Sequence, residues 1–319
     1  MKKIAILTSG GDAPGMNACI RACVRSAINS GMEVYGIERG YKGLVKNKIF
    51  KMNSQSVCEI IHRGGTILKS ARCLEFKEPE TRKIAADNLK KLGVEGLVVI
   101  GGDGSITGAK ALSDECGINV VGIPGTIDND LAYTDFTLGF DTAVNTVLWA
   151  INALRDTMTS HDRVSIIKVM GRHCGDIALY AGICGGAEYI LVPEVPYDIQ
   201  KIANEIKTNK ERGKTSSIIV LAEGAGNEQE IKTIVSVISG ADVKFSTLGH
   251  IQRGGTPTMA DRMLAAKFGV KAIELLNSGK TNRVVGCKGK DIFDMDITEA
   301  LSQKKKFEKN IYDIAALLC

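Results

Sequence analysis

What most constrains this chain is a succession that recurs along it: a short apolar run, a glycine-bearing polar loop, then apolar residues spaced three and four apart. Leu97-Val98-Val99-Ile100 enters Gly101-Gly102-Asp103-Gly104-Ser105. Lys3-Ile4-Ala5-Ile6-Leu7-Thr8 enters another glycine loop, after which Met16, Ile20, Cys23, Val24 and Ala27 fall on one helical stripe. Strands apolar on both faces and alternating with helices form parallel sheets covered on both sides. Strands are expected at 3–8, 33–37, 96–100, 120–123, 164–170, 189–192, 217–222 and 284–287, and helices at 82–92, 105–112, 142–157, 199–212 and 260–276 among others.

A chain of 319 residues exceeds one ordinary core, so an α/β protein of two lobes is expected, with a break near 136–139 and a return near residue 250. No run of about 18 apolar residues occurs, and Met1-Lys2-Lys3 leads straight into a strand. Neither a membrane span nor a signal peptide is expected, and the expected location is cytoplasmic. Nine cysteines, odd in number and never spaced C-x-x-C, read as reduced thiols rather than disulfides or a zinc site. A net charge of +5 is mild, and the run Lys304-Lys305-Lys306 reads as a solvated face, so no nucleic-acid partner is expected.

In parallel sheets, ligands gather at the carboxyl ends of strands. Gly10-Gly11-Asp12, Gly101 to Ser105, Pro124 to Asp130, Gly171-Arg172-His173, Glu223-Gly224 and His250 to Gly255 all follow expected strand ends, so they are expected to converge on one cleft. Gly101 and Gly102 remove side chains where backbone must approach a ligand, and the helix after them offers N–H groups to an anion. Asp103 then suits a magnesium ion shared with phosphate oxygens. Taken alone, the segment is equally a glycine turn with an Asp cap, and Gly10 to Gly15 has the same form. Neither a Walker loop nor a G-x-G-x-x-G fingerprint is present.

In Thr126-Ile127-Asp128-Asn129-Asp130 the carboxylates are two residues apart and share a face if the chain is extended. One can accept a proton from an attacking hydroxyl while the other tunes it or meets a metal-bound water. An Asx turn is the alternative reading. Cradle and acid pair together are the equipment of phosphoryl transfer.

From Lys2 to about Gly289 the chain resembles the bacterial-type ATP-dependent 6-phosphofructokinases. The likeness is carried in order by Thr8 to Ala18, Gly101 to Ser105, Pro124-Gly125-Thr126-Ile127-Asp128-Asn129-Asp130, Met170-Gly171-Arg172 and Leu248-Gly249-His250-Ile251-Gln252-Arg253-Gly254-Gly255. The resemblance implies two mainly parallel-sheet lobes: 1–138 plus 252–303 for ATP, and 139–251 plus 304–319 for fructose 6-phosphate. It implies Mg-assisted transfer of the ATP γ-phosphoryl group to the sugar 1-hydroxyl, with Asp128 as base and Asp130 beside it. Gly11, Tyr41, Arg72, Cys73, Gly102, Asp103, Gly104, Ser105 and Gly108 would contact ATP, with Asp103 on Mg2+. Arg72, Thr126 and Arg172 would stabilise the group in flight. Thr126, Ile127, Asp128, Met170, Gly171, Arg172, Glu223, Ile251 and Gln252 would face the sugar. His250 and Arg253 would take its 6-phosphate, joined from a neighbouring subunit by Arg163 and Lys244.

The shared site implies an oligomer, and the resemblance implies a homotetramer. Lys244 stands where bacterial members usually have Arg, which keeps the charge and loses the bidentate fork. The resemblance further implies an effector site for ADP and phosphoenolpyruvate, to which Arg21, Arg25, Cys58, Glu59, Arg155, Gly186, Glu188, Arg212 and Lys214 correspond. Ser54, Cys58 and Ser216 depart there from the commoner Arg, Ser and His. The rivals are a pyrophosphate-dependent phosphofructokinase, a non-catalytic regulatory subunit and a nicotinamide-dependent oxidoreductase. In pyrophosphate-dependent relatives Asp and Lys usually stand where this chain has Gly104 and Gly125. A carboxylate at 104 would repel the α-phosphate, so ATP is the expected donor.

Overall fold

Val98, Val99 and Ile100 are fully buried, as are Ile4, Ala5, Ile6 and Leu7. Successive residues of a strand face opposite sides, so both faces of this sheet are covered. The computed structural model describes residues 1–214 and 216–318; Thr215 and Cys319 lie outside them, and with Cys319 one of the thiols expected to be reduced. Cys19, Cys23, Cys58, Cys73, Cys116, Cys184 and Cys287 carry free thiols.

The strands run β1 (Lys3–Thr8), β2 (Glu33–Ile37), β3 (Ile49–Met52), β4 (Gly96–Gly101), β5 (Asn119–Pro124), β6 (Arg163–Val169), β7 (Tyr189–Leu191), β8 (Ser217–Ala222), β9 (Asp242–Thr247), β10 (Arg283–Lys288) and β11 (Asp291–Asp296). The helices are α1 (Met16–Asn29), α2 (Gly40–Val45), α3 (Pro79–Lys91), α4 (Asp103–Cys116), α5 (Phe140–Thr159), α6 (Asp176–Cys184), α7 (Ile199–Glu211), α8 (Glu228–Ser239), α9 (Met259–Asn277), α10 (Ile297–Ser302) and α11 (Lys309–Leu318). One sheet has the order β11-β10-β5-β4-β1-β2-β3 and the other β7-β8-β6-β9. All pairings are parallel except β2 with β3 and β10 with β11.

Every strand expected from periodicity is present, with ends within a residue or two. β3, β9 and β11 were not expected, and all three are sheet edges. An edge strand needs less apolar cover, so Asp242-Val243-Lys244-Phe245-Ser246-Thr247 leaves only Val243 buried and has no continuous apolar run.

The chain divides into two compact units. The first is Met1–Ile127, Leu131–Thr142 and Arg253–Lys305; the second is Asp128–Asp130, Ala143–Gln252 and Lys306–Cys319. In the first, Leu97 and Val99 pack in one core cluster with Leu44 of α2, Leu89 of α3 and Leu112 of α4. On α9, Gly269 approaches α1 so closely that a Cβ would lie 2.7 Å from that of Ala22. Arg82 of α3 ties down this unit: its guanidinium forms two bonds to the Glu115 carboxylate at 2.6 and 2.7 Å and also donates to Phe76 O and Lys77 O.

Asp261 of α9, 1% exposed, accepts from Gly139 N, Thr142 N and Thr142 Oγ1 at 2.8, 2.9 and 2.5 Å. It thereby fixes the start of α5. Burial pushes its carboxyl up to about 6 against those bonds. In the second unit Ile166, Ile219 and Leu221 pack under α7 and α8 through Ala203, Ile206, Ile231 and Val235.

Candidate active site

In the first sheet β1 is an interior strand: β2 and β3 continue to one side, and β4, β5, β10 and β11 to the other. The carboxyl ends of β1 and β4 therefore flank the place where strand order reverses, the usual ligand position in an open sheet. Ser9 N donates to Ile100 O at 3.0 Å, locking the two strand ends together. A Cβ on Gly101 would lie 2.5 Å from Ser9 O, so only glycine fits that crossing.

At the start of α4, Gly102 is the cap residue and supplies no side-chain acceptor to the first-turn amides. Asp103 and Gly104 are exposed beside it, and a Cβ on Gly104 would touch nothing within 4 Å. Ser70 Oγ donates to Gly10 O at 2.5 Å, bringing the segment that carries exposed Arg72 and half-buried Cys73 to the Gly10-Gly11 loop. Burial first, and then the Glu75 carboxylate, raise the Cys73 thiol.

Tyr41 is buried, stacks on Phe76 with ring centroids 4.0 Å apart, and donates its hydroxyl to Ser105 O at 2.5 Å. Burial lifts that hydroxyl far above its ordinary value. Gly108 packs on the Tyr41 ring. Thr126 is buried, and its carbonyl accepts from Thr137 Oγ1 at 2.6 Å. Arg253 Nη1 donates to Asp12 O at 3.3 Å and lies against Gly11.

In the second sheet the reversal falls between β6 and β9. From these strand ends emerge Met170-Gly171-Arg172 and the segment 248–252. Met170 N donates to Gln252 Oε1 at 3.2 Å, and Gln252 Nε2 donates to Gly249 O at 2.9 Å. Gln252 is fully buried and so supports Met170 from within, while His250 and Ile251 are exposed. Arg172 has φ 54°, its N–H donates to Glu223 Oε1 at 2.7 Å, and its Nε stands 3.7 Å from Asp128 Oδ2.

Asp128 is 3% exposed and Ile127 is wholly buried. The acid pair does not lie in extended chain, the condition under which its carboxylates would share a face: Asn129 between them has φ 52°. Its Nδ2 donates to Asp176 Oδ2 at 2.9 Å, a partner 47 residues away.

Arg163 and Lys244 come from adjacent strands and meet on one carboxylate. Arg163 Nε is 2.8 Å from Asp242 Oδ2 and Lys244 Nζ 2.9 Å from Oδ1. Lys244 first, then Arg163, hold the Asp242 carboxyl below its ordinary value. Sequence reading did not single out Asp242, Asn129 or Asp176. An acid two positions before Lys244 and an Asn between two Asp were the available signals.

Of the effector candidates, Arg21 and Arg25 are four apart on α1, Cys58 is exposed with its thiol on Ser54 O and Gln55 Oε1, and Glu59 has φ 55°. In the second unit Arg155 Nη2 donates to the carbonyls of Gly185 and Gly186. Glu188 accepts from Ile218 N at 2.6 Å and pairs with Lys214 at 3.0 Å. Glu188, Arg212 and Lys214 line one cavity of about 550 Å³.

Among the described residues no cluster of three His, Cys, Asp or Glu side chains could cage a metal ion. A single carboxylate such as Asp103 would suffice for magnesium, which keeps waters and phosphate oxygens as its other ligands. Among the described residues no helix is long and apolar enough to cross a membrane.

The family model described as phosphofructokinase matches residues 3–276. An ATP-dependent 6-phosphofructokinase of Clostridioides difficile is 59% identical over 318 residues, covering 100% of this chain and 99% of that protein. ATP-dependent 6-phosphofructokinase 1 of Clostridium perfringens is 58% identical over 315 residues, covering 99% and 98%. Among solved structures, phosphofructokinase from Saccharomyces cerevisiae superposes with a TM-score of 0.88 at 34% identity; the match covers 100% of this chain and 47% of the yeast one. A pyrophosphate-dependent phosphofructokinase from Marinobacter aquaeolei has a TM-score of 0.87 at 22% identity, covering 97% of this chain and 86% of that one, which is a likeness of fold.

Proposed function

We propose that this chain, which belongs to the phosphofructokinase family, is an ATP-dependent 6-phosphofructokinase: it transfers the γ-phosphoryl group of ATP to the 1-hydroxyl of D-fructose 6-phosphate. The observation that carries the reading is Asp128, a buried carboxylate with the Arg172 guanidinium 3.7 Å from it. A carboxylate so placed can accept the proton of the attacking hydroxyl, and the guanidinium can stabilise charge on the group in flight. ATP as donor is supported by the open space at Gly104, where a nucleotide α-phosphate can approach.

In this reading the first unit holds ATP through Gly11, Tyr41, Arg72, Cys73, Gly102 to Ser105 and Gly108. Asp103 would hold Mg2+ together with phosphate oxygens; when bound, the ion neutralises phosphate charge. Thr126 and Arg72 donate to the moving phosphoryl group, and Asp130 tunes Asp128. Met170, Gly171, Glu223 and Ile251 hold the sugar, with Gln252 behind Met170. His250 and Arg253 take the 6-phosphate, and Arg163 and Lys244 serve the site of a second copy within a homotetramer. The lobes are assigned as 1–138 plus 252–303 for ATP and 139–251 plus 304–319 for the sugar; the compact units differ by grouping 128–130 and 252 with the second and 139–142 and 304–305 with the first.

ADP and phosphoenolpyruvate act as effectors at Arg21, Arg25, Cys58, Glu59, Arg155, Gly186, Glu188, Arg212 and Lys214, with strength altered by Ser54, Cys58 and Ser216. The enzyme works in the cytoplasm. The decisive assay couples fructose 1,6-bisphosphate formation to a dye or NADH, with ATP and Mg2+ in one arm and pyrophosphate and Mg2+ without nucleotide in the other. Turnover is expected only with ATP, and substantial pyrophosphate turnover would sink the reading. Sigmoidal sugar-phosphate kinetics that ADP leaves unchanged would remove the effector assignment.

A further inference from the structure

Asn129 occupies a backbone region that residues with a Cβ rarely adopt, and it does so between the two carboxylates of the acid pair. Such outliers persist where their surroundings over-determine them, often at reacting centres. One loop, with the helix it enters, supplies part of those surroundings. Asn129 and Asp176 are each 2% exposed, and the Asn129 amide donates to Asp176 Oδ2 at 2.9 Å. The Cys174 thiol is directed at Asn129 O, 3.9 Å away. Asp176 opens α6, where first-turn amides favour a carboxylate.

The loop itself is folded tightly. Gly171 has φ 134°, a Cβ there would lie 2.3 Å from Cys174 O, and Cys174 N donates to Gly171 O at 2.9 Å. It also carries Arg172, whose Nε is 3.7 Å from Asp128 Oδ2. One six-residue loop thus holds the turn at Asn129 and sets a guanidinium beside Asp128.

We propose that Asp176 is a positioning residue for phosphoryl transfer: through the Asn129 side chain it maintains the left-handed turn that aims Asp128. This rests on the reading of Asp128 as the base. Asn is among the few residues with a Cβ that visit this conformation routinely. Without its anchor the amide loses a buried partner, and the chain can relax to negative φ. Relaxation there rotates the peptide that follows Asp128 and moves its carboxylate off the attacking hydroxyl.

The test compares kcat and KM across substitutions. Asp176→Ala is expected to lower kcat about 10²-fold, the cost of a misplacement near 1 Å, with KM for ATP unchanged. Asp176→Asn, whose Oδ1 still accepts the bond, should recover most of that loss. Asn129→Ala should match Asp176→Ala, and the double variant should lose no more than the worse single one. Losses that multiply in the double variant, or an Asp176→Ala enzyme within threefold of wild type, would overturn the proposal.

If Asp176→Ala does not fold, Asn129→Gly against Asn129→Ala decides. Glycine takes positive φ unaided and should keep kcat near wild type while alanine loses it; equal values overturn the idea. Wild-type turnover tests the functional reading separately. A crystal structure of Asp176→Ala reads the positioning without any assay: residue 129 should leave the left-handed region, and its retention there counts against the proposal.

Discussion

Arg253 lies over Gly11 so closely that a Cβ on Gly11 would stand 2.1 Å from its Nη1. The two residues come from the first and last segments of the first unit, and each was assigned to a different substrate. Arg253 also donates to Asp12 O, so its guanidinium rests on the loop that follows β1.

This contact makes Gly11→Ala a test of the sugar-phosphate assignment. Gly11 is absent from the positive-φ positions, so alanine fits the backbone, and the displaced atoms are the end of a flexible side chain. Arg253 must swing away. KM for fructose 6-phosphate is expected to rise about tenfold, the loss of one charge-assisted contact, with a smaller change for ATP. An unchanged sugar KM in steady-state kinetics would detach Arg253 from the 6-phosphate.

Asp128→Asn keeps the size of the side chain and removes the base. kcat is expected to fall by roughly 10²–10⁴, the range for general-base catalysis, while the thermal unfolding midpoint stays near wild type. The coupled fructose 1,6-bisphosphate assay measures it. Near-normal turnover would take the base role away from Asp128.

Gly104→Asp separates folding from donor choice. Since a Cβ there meets nothing within 4 Å, the variant should unfold at the wild-type temperature. Its carboxylate would nevertheless face the nucleotide α-phosphate, raising KM for ATP about tenfold or more. An ATP KM equal to wild type would show that residue 104 does not face the phosphates.

Asp261 gives a pH signature. Its folded value of about 6 exceeds the ordinary 3.8, so the folded chain holds this proton more tightly than the unfolded chain. The contribution is fully present below pH 3.8, declines as pH rises, and is lost above about 6. Relative to Asp261→Asn, wild-type stability should therefore fall by ~3 kcal/mol across that window. Denaturant midpoints at a series of pH values read it; parallel curves for the two proteins would reject it.

The chemistry of the site was more legible than its geometry. Asp103, Asp128 and Gly104 stand at strand ends that apolar runs announce, so their placement follows from local pattern. Gln252 shows the limit: it was read as a sugar contact, yet burial and two internal bonds make it a support for Met170. Nothing in its neighbours' residue types distinguishes those roles. The edge strands β3, β9 and β11 escaped for a related reason, because one-sided cover demands no continuous apolar run.

By itself the sequence determined the alternation of strands and helices, the glycine loops that end the strands, and the inventory of carboxylates and cations, because each depends on residues within a turn or two of one another. Tertiary structure alone decided that β1 and β6 are interior strands, so that particular loops flank each reversal of strand order. It also decided that Asn129 turns left-handed, held by Asp176 47 residues away, and that Arg253 covers Gly11. These depend on which distant segments the sheets bring together. A hydrogen bond or a close contact between such segments leaves no period in the sequence.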